Sequence, residues 1–156
     1  MNSVSFTITK TAVYNEVAKT TSYGGKKAQE DGSAYERMRT TPEDEELLAR
    51  FWTEACDAVT SIVRPFLVSV SDASDYSLEL SLPARYDTAL NDTLQDTVFS
   101  LIVNIIISSW YGIANKEEEA KYTGMATGLA AKVRSTVYYR KKPKLVQTES
   151  DDTQQS

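Results

Sequence analysis

The chain has 156 residues, 41% hydrophobic and 25% charged, a composition that fits one globular domain with a real core. Its net charge of −5 argues against general affinity for nucleic acid. Histidine is absent and Cys56 is the single cysteine, which removes the commonest general base and metal ligand and leaves neither an internal disulfide nor a thiolate zinc site.

The opening "MNSVSFTITK" lacks the charged-then-apolar layout of a signal peptide. Val4, Phe6 and Ile8 alternate with polar residues, so a short strand or extended arm is expected. "KTAVYNEVAKTTSY" places Val13, Val17 and Ala18 on one helical face and predicts a short first helix. Gly24, Gly25 and Gly32 mark turns, and Ser22 to Ser33 reads as a mobile loop. In "TTPEDEELLARFW", Thr41 fits a helix N-cap, Pro42 the first helical position and Asp44 the capping-box acid. Glu43 to Glu46 favour the helix dipole, which explains the acidic cluster better than a metal site does. Leu47, Leu48, Phe51, Trp52, Ala55, Val59, Ile62, Val63 and Phe66 follow at helical spacing, predicting a long amphipathic helix from Pro42 to about Leu67, with Pro65 near its end. Cys56 lies in that apolar pattern and reads as a core residue rather than a nucleophile.

Tyr76, Leu78, Leu80 and Leu82 then alternate with Ser77, Glu79 and Ser81, a half-buried strand closed by Pro83. Its partner is either the N-terminal arm or a neighbouring subunit. A second long helix is expected from Asp87 to Ile113. It contains the run "VFSLIVNIIISSWYGI", which is short for a membrane span and carries Asn104 and three serines, so protein surroundings are expected. Leu101, Ile102, Ile105 and Ile106 are expected to pack within the subunit, and Val103, Ile107 and Trp110 to press on a neighbour. Gly112 and Asn115 end that helix, and Asn115 caps a third running from Lys116 to about Arg140. Ala120, Met125, Leu129, Val133 and Val137 are its expected inner face, and the small residues of "TGMATGLAAK" permit close helix approach. "VQTESDDTQQS" reads as a disordered acidic tail. The fold class is therefore mainly α, a bundle of three long helices with a short N-terminal helix and a small strand element. Residues 1–40 form an arm, 41–145 the helical domain and 146–156 the tail.

Charge is segregated. Residues 1–40 carry net +2, 41–100 net −9, 101–145 net +5 and 146–156 net −3. Such a chain either pairs its own helices or joins copies head to tail, basic surface to acidic surface. No phosphate-binding glycine loop and no nucleophile elbow occurs, and "YGGKK" lacks the required spacing. No cofactor, no metal and no catalytic residue is therefore expected. Tyr138 and Tyr139 before Arg140, Lys141 and Lys142 suit either an interface or nucleic acid, the interface being favoured.

The order of amphipathic helix, extended excursion ending in "SLPARYDTAL", then "LQDTVFSLIVNIIISSWYGIANKEEEAKYTGMATGLAAKVRSTVYYRKKP" resembles the helical head–tail connector (neck ring, adaptor) proteins of tailed phages. The likeness is to versions in phages and prophages of gut Bacteroidetes, including crAss-like phages. It rests on Leu82-Pro83, Leu101 to Ile107, Trp110-Tyr111 and the finish Tyr138 to Pro143, and covers Thr41 to Lys144. It implies a virion structural protein, not an enzyme, in a ring of about twelve copies that joins portal to tail. DNA would pass through the lumen without sequence-specific binding, and no membrane would be involved. The alternative is a DNA-binding packaging or regulatory module using the basic end of the last helix.

Overall fold

The computed structural model describes residues 2–27, 40, 44–72 and 74–138. Among these residues the fold is mainly helical, with four α-helices and a small three-stranded sheet. In chain order these are β1 (Asn2–Ile8), α1 (Lys10–Lys27), α2 (Glu45–Val63), β2 (Leu67–Ser71), β3 (Tyr76–Leu82), α3 (Asn91–Ala114) and α4 (Lys116–Val137).

The sheet order is β1-β3-β2, and both outer strands run antiparallel to β3. The N-terminal arm therefore finds its partner in its own chain: Val4 lies opposite Leu80, Phe6 opposite Leu78 and Ile8 opposite Tyr76. Alternation sends Val4, Phe6, Ile8, Tyr76, Leu78, Leu80 and Leu82 into the core, and Ser3, Ser5, Thr7, Ser77, Glu79 and Ser81 to the other face. Thr7 and Ser77 hydroxyls join across the strands at 3.0 Å.

Two polar contacts tie the sheet to the helices. The Asp75 carboxylate, in the turn between β2 and β3, accepts the Lys10 backbone N–H at 3.0 Å and so caps α1 from 65 residues away. The Thr60 hydroxyl donates to the Cys56 carbonyl at 2.9 Å, which leaves the buried Tyr76 hydroxyl to donate to Thr60 at 2.7 Å.

Helix α3 is the centre of the molecule. It packs most extensively on α4, and also on α2, α1 and β1. By length and composition it could cross a membrane. Much of its apolar surface is nonetheless covered inside one chain: Leu94, Val98, Leu101, Ile102, Val103, Ile106, Ile107, Trp110 and Tyr111 are buried, Phe99 and Ile105 half-buried, and Ile113 exposed. Each such aliphatic side chain contributes roughly 1.5–3 kcal/mol on leaving water. Asn104 is tolerated among them because its amide donates to the Ser100 carbonyl at 2.7 Å. The helix ends at Asn115, whose backbone turns extended (φ −160°, ψ 95°) and whose side chain accepts from Glu117 N–H at 3.1 Å, capping α4. Glu117, Glu118 and Glu119 then sit favourably in the first turn of α4.

The structure corrects several expectations. Helix α1 continues through Gly24 and Gly25 to Lys27, because two glycines weaken a helix without breaking it; the rest of the expected loop, 28–33, lies outside the described residues. The expected cap at Thr41 and Pro42 also lies outside them, and α2 begins at Glu45. Its end comes earlier than expected, at Val63, where Pro65 enters a short 3-10 turn over Arg64–Phe66. Strand β2 follows at once and was not anticipated. Gly112 does not end α3, which runs two residues further.

Helix α4 is rotated from the expected orientation. Val133 and Val137 are buried and Leu129 half-buried as anticipated, but Ala120 and Met125 face outward, and Tyr122, Ala126 and Ala130 pack inward instead. Gly124 and Gly128 are not close-approach positions within the chain, since a Cβ at either would meet nothing within 4 Å. The tail, 146–156, lies outside the described residues.

Candidate subunit interface

The residues expected to meet a neighbour fall into three environments. Val103 and Ile107 are 5% and 1% exposed and form the floor of an open groove between α1, α3 and α4, lined also by Glu16, Thr20, Tyr122 and Met125. Their burial within one chain accounts for their apolarity without a neighbour. Trp110 is buried beside them on α3. Tyr138 is exposed and sets its ring edge-on against Phe66, with centroids 5.2 Å apart. Tyr139, Arg140, Lys141 and Lys142 lie outside the described residues. The structure thus gathers Val103 and Ile107 at one groove and leaves Tyr138 at a separate place, near the start of β2.

The surface that sequence reasoning missed is β2. Val70 lies opposite Leu78, so it points to the face of the sheet that the helices cover, yet it is 43% exposed. Val68, in an irregularity between Leu67 and Ser69, is 57% exposed. The strand therefore overhangs the helical layer. Its sequence, "LVSVS", is only five residues long and directly follows the helical pattern that runs to about Leu67, too short to declare a period of its own.

A second exposed surface is the outer side of α4. Gly124, Met125, Thr127, Gly128, Ala131, Lys132, Arg134 and Ser135 all face solvent. No acid follows Glu119 on this helix, so its second half is basic. On α2 the exposed side carries Glu45, Glu46, Glu54 and Asp57 against Arg50 alone. Arg50 and Glu54 pair along the helix at 3.2 Å, both well exposed, and such a pair contributes little. Over its full length α4 is nearly neutral, with Lys116, Lys121, Lys132 and Arg134 against Glu117, Glu118 and Glu119, and the other basic residues of 101–145, Arg140, Lys141, Lys142 and Lys144, lie outside the described residues.

The titratable groups are those of a packed core. Cys56 is fully buried, and burial, followed by the nearby Asp72 and Asp57 carboxylates, pushes its thiol up to about 12 against the opposing effect of Lys10. Burial, then Glu45, pushes the Tyr14 hydroxyl up to about 12. Burial likewise raises Tyr76 and Tyr111. All four stay protonated near neutrality, the opposite of an activated nucleophile or base. Among the described residues no three His, Cys, Asp or Glu side chains gather to hold a metal. Among the described residues, the buried Tyr14 hydroxyl and Trp52 indole N–H find no hydrogen-bond partner. Their rings meet edge-on at 6.3 Å with the Lys10 ammonium above both, an arrangement that stabilises the pair through packing and cation–π attraction.

No family model matches the chain, and neither a curated protein nor a solved structure matches it.

Proposed function

We propose that this protein is a structural subunit of an oligomeric ring in the neck of a tailed phage, joining portal and capsid to the tail around the DNA channel. The observation that carries the reading is the layout from Glu45 to Val137. An amphipathic helix, a hairpin excursion, an apolar helix and a final helix follow in the order on which the sequence resemblance rests. An overhanging apolar strand and an outward basic helix face add surface suited to neighbours. The chain's net charge of −5 suits a channel in which DNA must slide rather than be held. The ring of about twelve copies, the virion location and the contact with portal all belong to this proposal. The test is light scattering coupled to size exclusion, with the protein alone and mixed with its portal. A discrete multi-subunit particle in either case is the expected outcome; a single chain that ignores portal counts against it.

The competing reading is a DNA-binding packaging module, favoured by the exposed Lys132, Arg134 and Tyr138 at the end of α4. It requires salt-dependent DNA binding that is lost on charge reversal of Lys141 and Lys142.

A further inference from the structure

We infer that copies of this chain join edge to edge through the sheet, with β2 of one copy pairing in parallel with β1 of the next. The inference deepens the ring reading and rests on it only in choosing a head-to-tail joint over a two-fold one.

Among the described residues, β1 and β2 each pair with β3 alone, so each turns a row of backbone N–H and C=O groups outward. Natural edges are usually blunted by charge, proline or a bulge. Neither "NSVSFTI" nor "LVSVS" contains a charged residue or a proline. The one device present is the irregularity at Leu67–Ser69, which leaves Ser69, Val70 and Ser71 as the regular stretch of the β2 edge.

The occupant of this edge must do two things. It must offer hydroxyls on the outer face and apolar groups on the helical face, and it must bring something to cover Val70 from beneath. The β1 strand of a second copy meets both conditions. Ser5, Phe6 and Thr7 lie level with Ser69, Val70 and Ser71, all opposite Glu79, Leu78 and Ser77 respectively, so the two edges carry the same order of hydroxyl, apolar and hydroxyl. Any register shifted by an even number of residues keeps hydroxyls with hydroxyls, whereas an odd shift would invert every side chain. A free peptide strand would leave Val70 uncovered below. A second copy's β1 arrives with its own α3 packed beneath it.

Strand direction agrees. Both outer strands run antiparallel to β3 and therefore run the same way, so a joint repeated around an axis along the strands is parallel and open-ended until a ring closes. A two-fold β2–β2 pair would be antiparallel and would stop at two copies.

The test uses Ser5→Cys and Ser69→Cys, both on the exposed outer face, with a short bis-maleimide cross-linker. Cys56 is buried and gives no background, which the wild type checks. Ser5 and Ser69 of one chain both flank Glu79 and lie within a cross-linker's reach of each other, so the two single variants are mixed: the mixture is expected to yield a covalent dimer, and each single variant alone none. A dimer from Ser69→Cys alone would reveal the two-fold joint and overturn the inference. So would absence of that dimer from the mixture while light scattering shows a multi-subunit particle, an outcome that leaves the ring reading standing. A single-chain mass for wild type and variants, with and without portal, would overturn both. In parallel, Val70→Lys is expected to weaken self-association tenfold or more, about 1.4 kcal/mol, with an unchanged melting curve at a dilution where both proteins are single chains; undiminished assembly contradicts the proposal.

Discussion

Strands β1 and β2 flank the same central strand, run in the same direction and alternate small hydroxyls with apolar side chains. Yet Phe6 on β1 is 7% exposed and Val70, level with it on β2, is 43% exposed. The difference lies in what sits beneath. Helix α3 packs under β1, while β2 extends past the helical layer. Alternation in sequence therefore specifies that a strand has an apolar face, and only tertiary packing specifies whether the chain itself covers that face.

That contrast can be broken in graded ways. The largest effect belongs to the central helix: Val103→Asp buries a carboxylate at the floor of the α1–α3–α4 groove and should cost more than about 4 kcal/mol. Circular dichroism should show the fold lost together with any assembly, whereas a folded variant defective only in assembly would move Val103 to the interface. Next, Phe6→Ala should destabilise by about 3–5 kcal/mol in urea unfolding, against less than about 1 kcal/mol for Val70→Ala. Equal costs would mean that β2 is as well covered as β1. Asp75→Ala removes the long-range cap of α1 and should cost about 0.5–2 kcal/mol, seen as a lower urea midpoint. The smallest effect has the opposite sign. Gly124→Ala adds a Cβ to open space on the outside of α4 and should stabilise the single chain by about 0.5–1 kcal/mol, measured by thermal unfolding. Loss of assembly in that variant would identify α4 as a further contact face.

The elements that declared themselves in sequence did so through a local period. Strands β1 and β3, and helices α2, α3 and α4, follow from alternation, three-and-four spacing and the Asn115 cap, all short-range features. Two features were hidden for a physical reason. Strand β2 is five residues long and abuts a helix, too short to establish its own period. The orientation of α4 depends on which side α3 presents to it, and its small residues could face in or out equally well until Tyr122, Ala126 and Ala130 were seen to take the inside. The interface residues were chosen for excess apolarity. Val103 and Ile107 lie at the floor of an open groove between α1, α3 and α4, a tertiary arrangement that no local pattern could reveal. The overhang of β2, where sequence shows only "LVSVS", is the kind of surface a single chain leaves for its neighbour.

The account stands most directly on the mass of the particle in solution, measured by light scattering for wild type and Val70→Lys side by side. It predicts a discrete multi-subunit mass for the wild type, alone or with portal, and a single-chain mass at the same concentration for the variant, with superimposable melting curves once both are diluted to single chains. A wild type that stays a single chain in both conditions, or a variant that assembles as the wild type does, would contradict it.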